Sequence, residues 1–271
     1  MTTQPVIDKV LSSDGTPIAL WRSGGGRPLV LVHGTTADHS RWQSVRGLLE
    51  DHATLYVVDR RGRGESGDTE DYDLGCEVED LVAVVDTIAD EWGGPVDLLG
   101  HSYGAFIALD AARRTPNLRR LVLYEAPVVM SGAVYPAGFA LRIESLLAEG
   151  HHDEVVALFF REVVRMPEDQ LTAFRQLPAW PARVAAAHTI LREARATTSF
   201  RWDPESYAGL SVPVLLLSGS MSPEFLRTAT AAQADALPDV RVAVLEGQAH
   251  TAMDTAPELF ANAVISFLSE E

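Results

Sequence analysis

The chain has 271 residues, of which 46% are hydrophobic, and a formal net charge of −16 at pH 7. That length supports one large core, or one core with a small appended layer, while the charge disfavours nucleic acid and anionic membranes as partners. With one cysteine, Cys76, an internal disulfide is excluded.

Met1 to Pro5 lack the basic and apolar segments of a signal peptide. No apolar run is long enough to span a bilayer, so a cytoplasmic location is expected. Val6–Leu11 and Thr16–Trp21 flank an Asp14-Gly15 turn and predict a hairpin. Apolar runs then recur at 29–32, 55–58, 96–99, 121–123, 214–217 and 241–245, the pattern of strands buried on both faces. Helical patterns alternate with them at 42–50, 78–90, 105–114, 229–237 and 257–268. This order predicts an α/β chain with a mostly parallel, doubly wound, eight-stranded sheet. Residues 128–207 break the alternation. They hold amphipathic stretches at 139–147, 154–164, 171–177 and 184–196, punctuated by Pro167, Pro178 and Pro181. The expected division is a core of residues 1–127 and 208–271, with a helical cap of 128–207 inserted in it.

Gly100-His101-Ser102-Tyr103-Gly104 sits between an apolar strand and a helix-compatible run. G-x-S-x-G in that context is a nucleophile elbow, a turn that exposes the serine hydroxyl above the sheet. A serine hydroxyl needs a base, and the base needs an orienting group. His250, in Gly247-Gln248-Ala249-His250 after a late strand, is the best placed of the eight histidines.

The chain resembles the α/β-hydrolases that carry a helical cap. The motifs behind the likeness are His33-Gly34 after the third strand, Asp59 to Ser66 after the fourth, the elbow, and the terminal Gly247 to His250. They run in family order along nearly the whole chain outside the cap. The resemblance implies Ser102 as nucleophile and His250 as base. It also implies an oxyanion hole from the backbone N–H groups of Tyr103 and Thr35, each contributing about 3–4 kcal/mol. His33 is expected to tether its loop. Asp59 to Ser66 is expected to shape a turn, with Arg60, Arg61 and Arg63 solvated.

The third catalytic member departs from the pattern. Many relatives place an aspartate after the strand matching 214–217, in a G-x-x-D pattern. Here the residues are Gly219-Ser220-Met221-Ser222-Pro223, with serine in the acid's place. Three solutions stay open: Glu125 at the tip of the strand after the elbow helix, Glu224 reaching back from the next helix, or no acid. Glu125 ranks first. Asp254 is expected to cap the last helix.

Serine at the elbow argues for acyl chemistry on a small-molecule substrate, most economically a small to medium apolar carboxylic ester. Alternatives are cleavage of a carbon–carbon bond, a non-hydrolytic lyase or cyclase, and a binding protein without turnover. Trp42, Val128, Met130, Phe139, Phe159 and His188 are the candidate pocket residues. No cofactor and no metal site is expected, because no metal-ligand spacing or dinucleotide fingerprint appears. The sequence is silent on oligomeric state, and a homodimer stays an open option.

Overall fold

Branched and leucine-rich runs form the sheet in the computed structural model, which describes residues 6–128 and 134–270. The strands are β1 (Val6–Leu11), β2 (Pro17–Gly24), β3 (Pro28–Val32), β4 (Thr54–Val58), β5 (Val96–His101), β6 (Leu118–Tyr124), β7 (Val214–Gly219) and β8 (Val240–Leu245). Their order is β1-β2-β4-β3-β5-β6-β7-β8. β2 pairs antiparallel with β1 and β4; every other pair is parallel. The expected mostly parallel sheet is therefore present.

Because strand side chains alternate between faces, a strand buried on both sides must be apolar at every position. β3 shows this. Val30 and Val32 join a core with Val78 to Ala89 and Phe106 on one face. Leu29 and Leu31 join a core with Leu49, Phe260 and Val264 on the other. β8 departs from the buried pattern: it ends the sheet, leaving Val242 and Val244 about half exposed, at 49% and 52%.

The helices are α1 (Gln43–Glu50), α2 (Leu74–Trp92), α3 (Tyr103–Ala111), α4 (Phe139–Ala148), α5 (His152–Glu162), α6 (Glu168–Phe174), α7 (Trp180–Ala185), α8 (His188–Ser199), α9 (Glu224–Ala236), α10 (Ala252–Thr255) and α11 (Pro257–Leu268). α2 begins earlier than its apolar periodicity, because the Asp73 carboxylate accepts the Cys76 N–H and caps it. α4 to α8 lie between β6 and β7 around an apolar cluster of their own, including Ile143, Leu171 and Ile190.

The arginines expected in solvent are instead buried. Arg60 makes a two-pronged bond to Glu77 at 2.6 and 2.7 Å and reaches Glu193 of α8 at 2.5 Å. Arg63 also pairs with Glu193, and Arg61 pairs with Asp80 at 2.6 Å. Burial opposes the charge on Arg60, yet Glu77 and Glu193 raise its pKa above the ordinary guanidinium value. Arg63 moves the other way, lowered by burial and by the like charge of Arg60. Composition marks arginine as a surface residue; acids 17 and 133 positions away reverse that here. The cluster joins the loop after β4 to the inserted helices. Among the described residues, no helix is long and apolar enough to cross a membrane.

Candidate active site

The site gathers where β5, β6 and β7 end. Ser102 follows β5 with φ 56° and ψ −124°, a conformation that a serine adopts only under constraint. Its N–H donates to the Tyr124 carbonyl at 2.9 Å, which fixes the turn to β6. Gly104 lets the turn pack against the end of β3: a Cβ there would lie 2.5 Å from the His33 carbonyl oxygen. α3 starts at Tyr103, so the Tyr103 N–H has no intrahelical acceptor.

Two side chains hold the segment carrying His250. The Tyr124 hydroxyl donates to the Ala249 carbonyl and accepts the Ala252 N–H, the latter at 3.1 Å. His101 Nε2 lies 2.9 Å from the His250 carbonyl, and its ring is 4.6 Å from that of His250. Burial, then the neighbouring His250, hold the His101 pKa well below the ordinary value, so His101 is neutral and donates through Nε2. Sequence reasoning missed Tyr124 and His101 as supports. Their signal was adjacency to Glu125 and Ser102.

His250 Nδ1 is 2.6 Å from Glu125 Oε2. Glu125 is buried, follows β6 with φ 51°, and accepts the Gly219 N–H at 2.7 Å through Oε1. The β6–β7 pairing brings these strand ends together, with the Glu125 N–H bonded to the Leu217 carbonyl at 3.3 Å. If the carboxylate accepts from Nδ1–H, Nε2 is left as the basic nitrogen. Glu224 stands exposed at the start of α9. Ser222 is buried, and its hydroxyl has no partner among the described residues.

The loop after β3 lies directly on the serine. A Cβ on Gly34 would sit 2.8 Å from Ser102 Cβ and 3.3 Å from its Oγ. Among the described residues, the Thr35 N–H has no hydrogen-bond acceptor. His33 ties this loop down: its Nδ1 lies 2.9 Å from the Gly34 carbonyl, and its Nε2 accepts the Arg60 N–H at 3.2 Å. Burial, then Arg60 and Arg63, push its pKa down to about 3, so it stays neutral.

The residues read as pocket wall take the following places. Trp42 is fully buried against His101 and Phe260. Val128 joins the core that contains α2 and α3. Phe139 and Phe159 pack inside the inserted helices. Helical spacing reports burial without saying what covers the face. His188 stands half exposed, 3.3 Å from Asp68. Met130 lies outside the described residues. Asp254, expected as a helix cap, instead pairs with Arg41 from within α10. A hollow of about 630 Å³ is lined by Arg113, Arg119, Leu210 and Pro213. It opens at the starts of β6 and β7, the edge opposite Ser102, so it is not the space this constellation serves.

The model of the alpha/beta hydrolase family matches residues 29–263. N-formylmaleamate deformylase from Pseudomonas putida is 36% identical over 140 residues, which is 50% of this chain and 52% of that protein. That alignment spans about half of each. The 2-(acetamidomethylene)succinate hydrolase of Mesorhizobium japonicum is 26% identical over 256 residues, 91% of this chain and 90% of that one. The crystal structure of an alpha/beta hydrolase from Sphaerobacter thermophilus, 36% identical, matches 97% of this chain and 100% of that chain with a TM-score of 0.84.

Proposed function

The chain belongs to the alpha/beta hydrolase family, and on that premise we propose that it is a serine hydrolase acting on a small ester or amide through an acyl-enzyme on Ser102. The contact between His250 Nδ1 and Glu125 Oε2, at 2.6 Å, carries this reading. It supplies the orienting carboxylate that the segment after β7 lacks.

Ser102 Oγ attacks the substrate carbonyl carbon and gives its proton to His250 Nε2. The carbonyl electron pair moves onto oxygen, where the N–H groups of Thr35 and Tyr103 receive it. Collapse breaks the bond to the alcohol or amine, which leaves with the proton from His250. Water, giving a proton to His250 Nε2, then attacks the acyl carbon; collapse breaks the bond to Ser102 Oγ, which takes that proton as the carboxylic acid leaves. Glu125 stays ionised and stabilises the imidazolium in both halves. The inserted helices act as the cap over this site. Both curated relatives above are named for amides, one N-formylated and one carrying an acetamido group, which supports including amides beside esters.

The test is intact-protein mass after exposure to a fluorophosphonate. One adduct is expected on the wild type, none on Ser102→Ala, and slow labelling of His250→Ala and Glu125→Gln. An unlabelled wild type rejects the reading.

A further inference from the structure

Five arginines are buried among the described residues: Arg60, Arg61, Arg63, Arg120 and Arg183. The first four each face a carboxylate, from 3.6 Å for Arg120 and Glu270 down to the tight contacts around Glu193. Arg183, on α7, forms no ion pair among the described residues and is only 9% exposed. Its Nη1 donates to the Thr36 hydroxyl at 2.8 Å and to the Thr36 carbonyl at 3.2 Å. Its Nε–H is buried without a partner among the described residues. The rings of Phe174 and Phe160 face the guanidinium at 5.0 and 5.5 Å, a weaker compensation than a carboxylate gives.

Of the nearby charges, Arg41 pairs with Asp254, while Asp38 accepts the Ser40 N–H at 2.9 Å and touches no cation among the described residues. Burial, with the like charge of Arg41 added, pulls the Arg183 pKa down to about 10 against the longer-range pull of Asp38 and Asp254, so at neutral pH it carries a charge with no carboxylate in contact among the described residues. Leaving a buried charge unpaired is costly. Thr36, which it holds, is two residues from Gly34, the residue lying on Ser102. The unmatched charge thus sits beside the loop that borders the nucleophile.

We infer that Arg183 is a specificity residue that binds a carboxylate on the substrate, so that the hydrolysed compound is an anionic acyl compound rather than a purely apolar ester. A planar guanidinium with donors to spare suits a carboxylate, which would supply the missing counter-ion. This inference rests on the acyl-transfer reading of Ser102.

The experiment compares kcat/KM for mono-4-nitrophenyl succinate and 4-nitrophenyl butyrate, which differ by a terminal carboxylate. The ratio of the two should fall about 10- to 100-fold in Arg183→Met, mostly through KM, with Arg183→Lys in between. An equal loss on both esters overturns the inference, because it marks Arg183 as merely a brace for the Thr36 loop. A wild type that turns over neither ester excludes these two compounds as substrates and leaves the acyl-transfer reading to be judged by fluorophosphonate labelling. In that event succinate binding to Ser102→Ala decides the anchor: a rise in Tm that Arg183→Met abolishes supports it, and no rise overturns it.

Discussion

In the proposed triad Glu125 pairs a catalytic demand with a backbone cost. Its φ of 51° is unusual for a residue with a side chain, yet it aims one oxygen at His250 and the other at the Gly219 N–H. Glu125→Gln keeps the shape and removes the charge. Its amide can also donate to Nδ1, which favours the wrong imidazole tautomer. The expected loss in kcat is about 10³- to 10⁴-fold, read by steady-state kinetics on a nitrophenyl ester. Ser222 offers a complementary check. Its Oγ lies 2.7 Å from where a Gly219 Cβ would stand, beside the same strand end. Adding Ser222→Asp to Glu125→Ala should restore part of the lost rate. A double variant no faster than Glu125→Ala would show that an acid there does not reach His250.

At the scale of elements, the loop after β3 is the most constrained part of the site. Gly34→Ala must place a methyl 2.8 Å from Ser102 Cβ, so either the loop or the elbow moves. The Thr35 N–H then leaves its position, and kcat should fall about 10²- to 10³-fold with KM little changed. Unaltered kcat in that variant would reject Thr35 as an oxyanion donor. These elements were differently legible in the chain. β3 announced itself because burial on both faces left only apolar residues, and β7 did so through Val214–Leu217, while β5 shows the same pattern at Leu98 and Leu99 around a buried Asp97 that Arg119 pairs. The elbow was legible because its backbone demands glycine beside Ser102. Glu125 was legible only as a strand-end acid in a chain whose usual acid position holds Ser222. The partners of Arg60 and Arg63 were not legible, since Glu77 and Glu193 are brought to them by tertiary packing that no local pattern encodes. Arg183 was missed for the same reason: its signal is a missing partner, and sequence does not list partners.

Over the whole molecule, the ion cluster of Arg60, Arg63, Glu77 and Glu193 ties the inserted helices to the sheet. Removing one member of a buried set leaves charge without a counterpart. Glu193→Ala should therefore cost about 3–5 kcal/mol in urea unfolding. Acid stability is governed close by. His33 titrates at about 3 in the fold against 6.5 ordinarily, and Glu77 at about 2 against 4.5. Both values are depressed, so over those intervals the unfolded chain binds more protons than the folded one, and stability falls as pH drops. His101 is displaced the same way and shares the window of His33. His39 acts oppositely: Asp59 raises its pKa above 6.5, so its stabilisation is complete below that pH and is lost above it. Asp80 and Asp97 are raised by burial and oppose Glu77 at lower pH. The histidine window between 6.5 and 4.5 is therefore the one to read. Urea midpoints of the wild type should decline across it as pH falls. His33→Gln should unfold more easily near pH 6.5 but decline less steeply below it, leaving the share of His101. An unchanged slope in His33→Gln would mean that the neutral His33 tether does not set acid stability.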